Sequence, residues 1–169
     1  ENTKYRFCID VFGHEKEMGK RVAIVGGSET GVETAMYLAE TGHDVTVLTR
    51  QRVVAHNASP LHSITAVDTT PIPGGEIITP GWVLYDNLTC ITEATTTRVE
   101  NGSVTYMDAA GEHTLSCDDI VICGGVHAQQ EEAMAFAGCA NEFYMIGDCR
   151  TPGSIQKCVR AAFAAASQI

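Results

Sequence analysis

Short apolar runs alternate along this chain with helical stripes and with clusters of glycine and proline. Arg21-Val22-Ala23-Ile24-Val25 is rich in β-branched residues and lacks polar alternation, the pattern of a strand buried on both faces of a parallel sheet. Val32, Ala35, Met36 and Ala39 then recur at helical spacing, which predicts a helix that starts at the preceding glycines and buries one face. Gly42 marks its end, and Asp44-Val45-Thr46-Val47-Leu48-Thr49 reads as a second strand. Strand, glycine turn, helix, glycine and strand in this order make a βαβ unit.

The flanking pattern differs. Residues 1–20 are polar and mixed, punctuated by Gly13 and Gly19, and read as a linker. Between 51 and 82 the prolines at 60, 71, 73 and 80 and the glycines at 74, 75 and 81 break any long element, leaving a short helix at 61–66 and otherwise loop. A strand is expected at 87–92. Arg98-Val99-Glu100 and Ser103-Val104-Thr105-Tyr106-Met107 flank Asn101-Gly102, a strong hairpin signal, and a second turn at Ala110-Gly111 leads to His113-Thr114-Leu115, giving an antiparallel meander. The buried-strand pattern returns at Asp119-Ile120-Val121-Ile122-Cys123-Gly124-Gly125. A helix at 129–137, an apolar strand at 143–148 and an alanine-rich helix at 154–169 complete the reading. The fold class expected is α/β, a Rossmann-type parallel sheet with flanking helices and an antiparallel β-meander.

With 169 residues, 44% hydrophobic and 19% charged, the chain has the composition of an ordinary globular domain with a real core. A net charge of -10 and the absence of a Lys/Arg cluster argue against nucleic acid or an anionic membrane as partner. Phosphate binding stays open, because backbone amides at a helix N-terminus supply local positive potential without Lys or Arg. The seven cysteines, at 8, 90, 117, 123, 139, 149 and 158, form no C-x-x-C pair, and an odd count leaves no complete disulfide set, so a reducing cytoplasm is expected. No apolar run approaches the roughly 20 residues of a spanning helix. A start at Glu1 suggests a fragment of a larger polypeptide.

The chemistry concentrates in two places. In Gly26-Gly27-Ser28-Glu29-Thr30-Gly31, Gly26 permits a tight bend, the third position brings backbone to a pyrophosphate, and Gly31 lets helix approach strand; here Ser28 replaces the middle glycine. A plain tight βα turn would not need three glycines. The second strand ends in Thr49-Arg50-Gln51-Arg52, where a carboxylate for a free ribose 2′-OH is expected. Arginines there suit a 2′-phosphate, or are solvated loop residues. Glu33 near the helix start serves either as a favourable charge on the helix dipole or as a ligand. The second place is Gly147-Asp148-Cys149 before a helix, where Asp148 suits a hydroxyl-rich phosphate ester or merely forms the turn. The histidines at 14, 43, 56, 62, 113 and 127 show no metal-type spacing, so no metal ligand is expected.

Val22-Ala23-Ile24-Val25-Gly26-Gly27-Ser28-Glu29-Thr30-Gly31-Val32-Glu33-Thr34-Ala35, then residues 118–125, then Tyr144-Met145-Ile146-Gly147-Asp148-Cys149 with Ile155 resemble three signatures in fixed order. They belong to the pyridine-nucleotide and flavin-binding region of NADH:flavin oxidoreductases related to 2,4-dienoyl-CoA reductase, 2-enoate reductase and trimethylamine dehydrogenase. After the linker read at 1–20, the resemblance implies an NAD(P)H-binding domain at 21–140 and, at 141–169, the last strand and helix of an FAD-binding domain. It implies that Gly26, Gly27, Ser28, Glu29, Thr30 and Gly31 face the nicotinamide nucleotide, with Glu33 near the nicotinamide, Thr49 and Arg50 at the ribose end, and Gly124 and Gly125 lining the cleft. Gly147 and Asp148 would hold the FAD phosphate or ribityl chain, with Ile155 near the flavin ring. FMN and a 4Fe-4S cluster are implied outside this chain, as are the residues that reduce an activated C=C bond, so no catalytic residue is expected here.

NADPH is slightly favoured over NADH, since Thr49 lacks a carboxylate. Expected partners are the nucleotide and the remaining domains of the flavoenzyme, with an oligomeric full-length enzyme compatible. Two other classes fit parts of the sequence. A disulfide reductase would need its redox cysteine pair elsewhere, and a nucleotide-sensing module would need the glycine turn but not Asp148.

Overall fold

The computed structural model describes residues 5–55 and 85–168, and the short helix expected at 61–66 lies outside them. The chain divides into two compact units, one ending at Gly124 and the other beginning at Gly125.

The first unit is built on a five-stranded sheet in the order β1-β8-β2-β3-β4, every neighbouring pair parallel. Its strands are β1 (Arg6–Phe7), β2 (Arg21–Val25), β3 (Asp44–Leu48), β4 (Leu88–Ile91) and β8 (Asp119–Ile122). The meander β5 (Thr95–Glu100), β6 (Ser103–Asp108) and β7 (Gly111–Ser116) forms a separate antiparallel sheet. Helix α1 (Glu29–Glu40) joins β2 to β3.

Side chains alternate between two cores, as the pleat dictates. Val22, Ile24, Val45, Val47, Val121 and Cys123 pack with Ala35, Leu38 and Ala39 of α1. Ala23, Leu48 and Ile120 pack with Ala94, Val104 and Cys117 in a second cluster to which Val99, Tyr106 and Leu115 of the meander add. Helix covers one face and meander the other, which is why β2, β3 and β8 read as continuous apolar runs. The expected α/β architecture is the one observed.

Several expectations need correction. The stretch 1–20 is not a simple linker, because β1 extends the sheet by pairing Arg6 with Val121 and Phe7 with Ile122, and Val11 and Met18 are buried in the first core. A two-residue strand carries no readable period, yet it covers the backbone groups that β8 would otherwise expose at its edge. The first compact unit ends at Gly124, and the helix at 130–134 lies in the second.

That second unit holds α2 (Gln130–Met134), a 3-10 turn at Gly147–Cys149 and α3 (Ile155–Ala166). The expected strand at 143–148 is absent: among the described residues no strand pairs with it, and a strand exists only through such pairing. Helix α2 is shorter than the expected 129–137, its continuation turning through single bends at 136–139.

Candidate functional site

The tightest geometry lies where β2 turns into α1. Gly26 has φ +115°, a conformation that a side chain strongly disfavours, and a Cβ there would collide with the carbonyl oxygen of Cys123 on the neighbouring strand. Its N–H donates to the Leu48 carbonyl at 2.9 Å, which fixes the turn to the end of β3. A Cβ on Gly27 would lie 2.7 Å from Cβ of Thr49, and one on Gly31 would strike the Gly26 carbonyl. Three different neighbours therefore demand the three glycines, and together they clear a cradle of bare backbone at the head of α1.

Ser28 stands at the N-cap of α1 in extended conformation, and its side chain makes no capping bond. Its carbonyl accepts from Val32 N–H at 3.0 Å, so the helix begins in earnest there. Glu33, one turn along, and Thr30 are exposed, whereas Gly31, Val32 and Thr34 are buried. The Thr34 hydroxyl donates back to the Thr30 carbonyl at 2.7 Å.

Thr49 is only 4% exposed. Its hydroxyl accepts from Gln51 N–H at 3.2 Å, and its backbone bonds to Ile91 and Ala94. Thr49 therefore shapes the turn from behind Gly27, while Arg50 and Arg52 are exposed after the end of β3. The loop then folds back, with Ala55 N–H donating to the Gly27 carbonyl at 2.8 Å and with Val54 and Ala55 packing on Val32. Sequence reasoning missed this return contact because neither residue carries a chemical signal.

Cys123 closes the floor. Burial pushes its thiol up to about 12, the adjacent Cys8 adds to the rise, and the Thr34 hydroxyl opposes it. Gly124 follows directly and is exposed, as is Gly125, which has φ +89°.

In the second unit, Gly147 has φ +74° and opens the 3-10 turn. The Asp148 carboxylate accepts from Gly153 N–H at 3.0 Å, and Ser154 caps α3 by accepting from Lys157 N–H at 3.4 Å. Asp148, Arg150, Ser154 and Lys157 line a cavity of about 200 Å³. Ile155 is 85% exposed. Among the described residues no cluster of three or more His, Cys, Asp or Glu is placed to hold a metal ion, and no helix is long and apolar enough to cross a membrane.

Residues 8–142 match the family model described as pyridine nucleotide-disulphide oxidoreductase. The chain belongs to that family. Its oxidoreductases use FAD and NAD(P)H, and the turn just described has the close-packed glycines of a dinucleotide-binding βα turn, since a side chain at Gly26, Gly27 or Gly31 would collide with Cys123, Thr49 or the Gly26 carbonyl.

Among curated relatives, a metal reductase of Desulforamulus reducens is 25% identical over 179 residues, covering 96% of this chain and 27% of the relative. A bilirubin reductase of Mediterraneibacter gnavus is also 25% identical, covering 99% of this chain and 25% of the relative. This chain thus spans about a quarter of the length of the curated relatives it matches. Two solved structures share the fold. A 2-naphthoyl-CoA reductase has TM-score 0.69 and 22% identity over 99% of this chain and 25% of that one, and the Lactococcus lactis thioredoxin reductase has TM-score 0.65 and 15% identity over 98% and 56%.

Proposed function

We propose that this chain is the NAD(P)H-binding part of a larger cytoplasmic flavoenzyme of the NADH:flavin oxidoreductase type, which passes hydride from NAD(P)H to FAD for the reduction of an activated C=C bond. The observation that carries the reading is the turn of Gly26, Gly27 and Gly31, each required to be glycine by a different protein neighbour, at a helix head where the Ser28 side chain makes no capping bond. The reductase names of both curated relatives support the direction of the chemistry. When bound, the nicotinamide and flavin supply the hydride chemistry, with FMN and a 4Fe-4S cluster belonging to parts of the enzyme beyond this chain.

This chain's own residues bind and orient. The amides of Ser28 to Gly31 would donate to the pyrophosphate, and Glu29, Thr30 and Glu33 flank it on the same helix. Arg50, exposed at the end of β3, would hold a 2′-phosphate, a contact that favours NADPH. Thr49 contributes from behind, by keeping Gly27 in place. Gly124 and Gly125 leave backbone open after β8. In the second unit, Gly147 and Asp148 with the capped head of α3 would hold the FAD phosphate or ribityl chain, and Ile155 would offer an apolar side chain toward the flavin.

The test is anaerobic mixing of the full-length flavoprotein with NADPH, followed by addition of an enoate. Bleaching of the flavin absorbance by NADPH and its return on adding the enoate are expected. Absence of bleaching with NADPH and NADH alike overturns the nucleotide assignment, and bleaching that no activated alkene reverses overturns the substrate class.

A further inference from the structure

Cys8 and Cys123 are far apart in sequence but meet across the β1–β8 edge of the sheet. The parallel register pairs Phe7 with Ile122; Cys8 opens the 3-10 turn Cys8–Asp10 that follows β1, and Cys123 follows β8, so the two cysteines leave adjoining strand ends. Both thiols face the α1 core, Cys123 as a member and Cys8 packed against it. Cys8 lies near enough to Cys123 to help push its thiol up. Neighbouring strands stand about 4.8 Å apart, within the span of roughly 4.4–6.8 Å that a disulfide needs between its Cα atoms.

No other cysteine of this unit competes for either partner. Cys90 on β4 is separated from β8 by β2 and β3, hence by about 14 Å at the usual strand spacing. Cys117 precedes β8 and packs in the opposite core. Both Cys8 and Cys123 are free thiols in this structure.

We propose that Cys8 and Cys123 form a reversible dithiol–disulfide pair at the floor of the glycine turn. Accessibility sets the order of events. Cys8 is half-buried, whereas Cys123 is 5% exposed and held protonated by burial. A small external disulfide is therefore attacked by Cys8, which loses its proton, forms a mixed disulfide and releases one external thiol. Cys123 then loses its proton, attacks the Cys8 sulfur and releases the second external thiol. The protein gives up two electrons and two protons, and the external disulfide is reduced to two thiols. Because a Cβ at Gly26 or at Gly31 would lie 3.4 Å from Cβ of Cys123, the new bond would form directly against the proposed nucleotide cradle. The pairing itself does not depend on nucleotide binding.

The test is incubation of the folded protein with oxidised glutathione, followed by alkylation of remaining thiols, digestion and mass spectrometry. A peptide pair linked through Cys8 and Cys123 is expected, restored to free thiols by dithiothreitol. In Cys123→Ala the Cys8–glutathione adduct should accumulate, and in Cys8→Ser Cys123 should stay reduced. A stable Cys8–glutathione adduct in the parent without the linked pair overturns the proposal, as does a linked pair that forms only in denaturant or an unreacted Cys8.

Discussion

The carbonyl oxygen of Gly26 occupies the space that a side chain on Gly31 would need. The turn and the first turn of α1 are thus in backbone contact, and the helix sits as close to the sheet as two peptide groups allow. Gly31→Ala should force α1 outward and destabilise the fold by about 1–3 kcal/mol, the usual cost of overpacking. Urea denaturation followed by circular dichroism measures this, and a variant as stable as the parent would show that the helix does not rest on Gly26.

Acid sensitivity should trace partly to Asp118. Its carboxylate accepts from the Arg21 backbone at 2.8 Å and from the Arg21 guanidinium at 2.7 Å, and these bonds hold its pKa below the ordinary carboxylate value. Folding favours the charged form, so the stabilisation is fully present above the unfolded value near pH 4 and is lost as pH falls through the lower folded value. Asp118→Asn should lower the melting temperature at pH 7, and the gap to the parent should narrow toward pH 3. A gap that stays constant across this range contradicts the pairing.

Nucleotide choice rests on Arg50, since Thr49 is buried with its hydroxyl engaged. A charge-assisted contact of about 1.5–3 kcal/mol corresponds to roughly a tenfold to hundredfold preference for NADPH over NADH. Comparing dissociation constants for both nucleotides in the parent and in Arg50→Ala checks this. A preference for NADH in the parent, or a ratio unmoved by the substitution, would mark the arginine as merely solvated.

Asp148 should matter for flavin and not for the nicotinamide nucleotide. Asp148→Ala in the full-length protein is expected to lower FAD content while leaving NADPH affinity unchanged, and equal loss of both would show that the Asp148 turn has no separate ligand. Because Asp148 also accepts from Gly153 N–H, Asp148→Asn, which keeps an acceptor oxygen, distinguishes loss of the turn from loss of the charge.

The β2–turn–α1–β3 unit was readable because every signal agreed: apolar strands buried on both faces, a helical stripe, and glycines at the turn and at the helix end. The meander was equally open, its Asn101-Gly102 turn allowing the positive φ that Gly102 adopts. What stayed hidden depends on neighbours. β1 has two residues and exists because β8 has a free edge, while 143–148 has an apolar pattern but no partner strand among the described residues. At the site, Gly26, Gly27 and Gly31 were legible from spacing, but the burial of Thr49 follows from what faces Gly27, and the return of Ala55 to the Gly27 carbonyl follows from loop geometry. Cys123 carried no chemical signal of its own, and its place beside the turn comes from the pairing of β8 with β2.

Amide hydrogen exchange with and without saturating NADPH tests the nucleotide site most directly, because it reports on the backbone that the glycine cradle exposes. Slower exchange confined to residues 26–33 and 49–55 is the result expected. Binding of NADPH that leaves these amides unchanged and protects another segment would contradict the assignment.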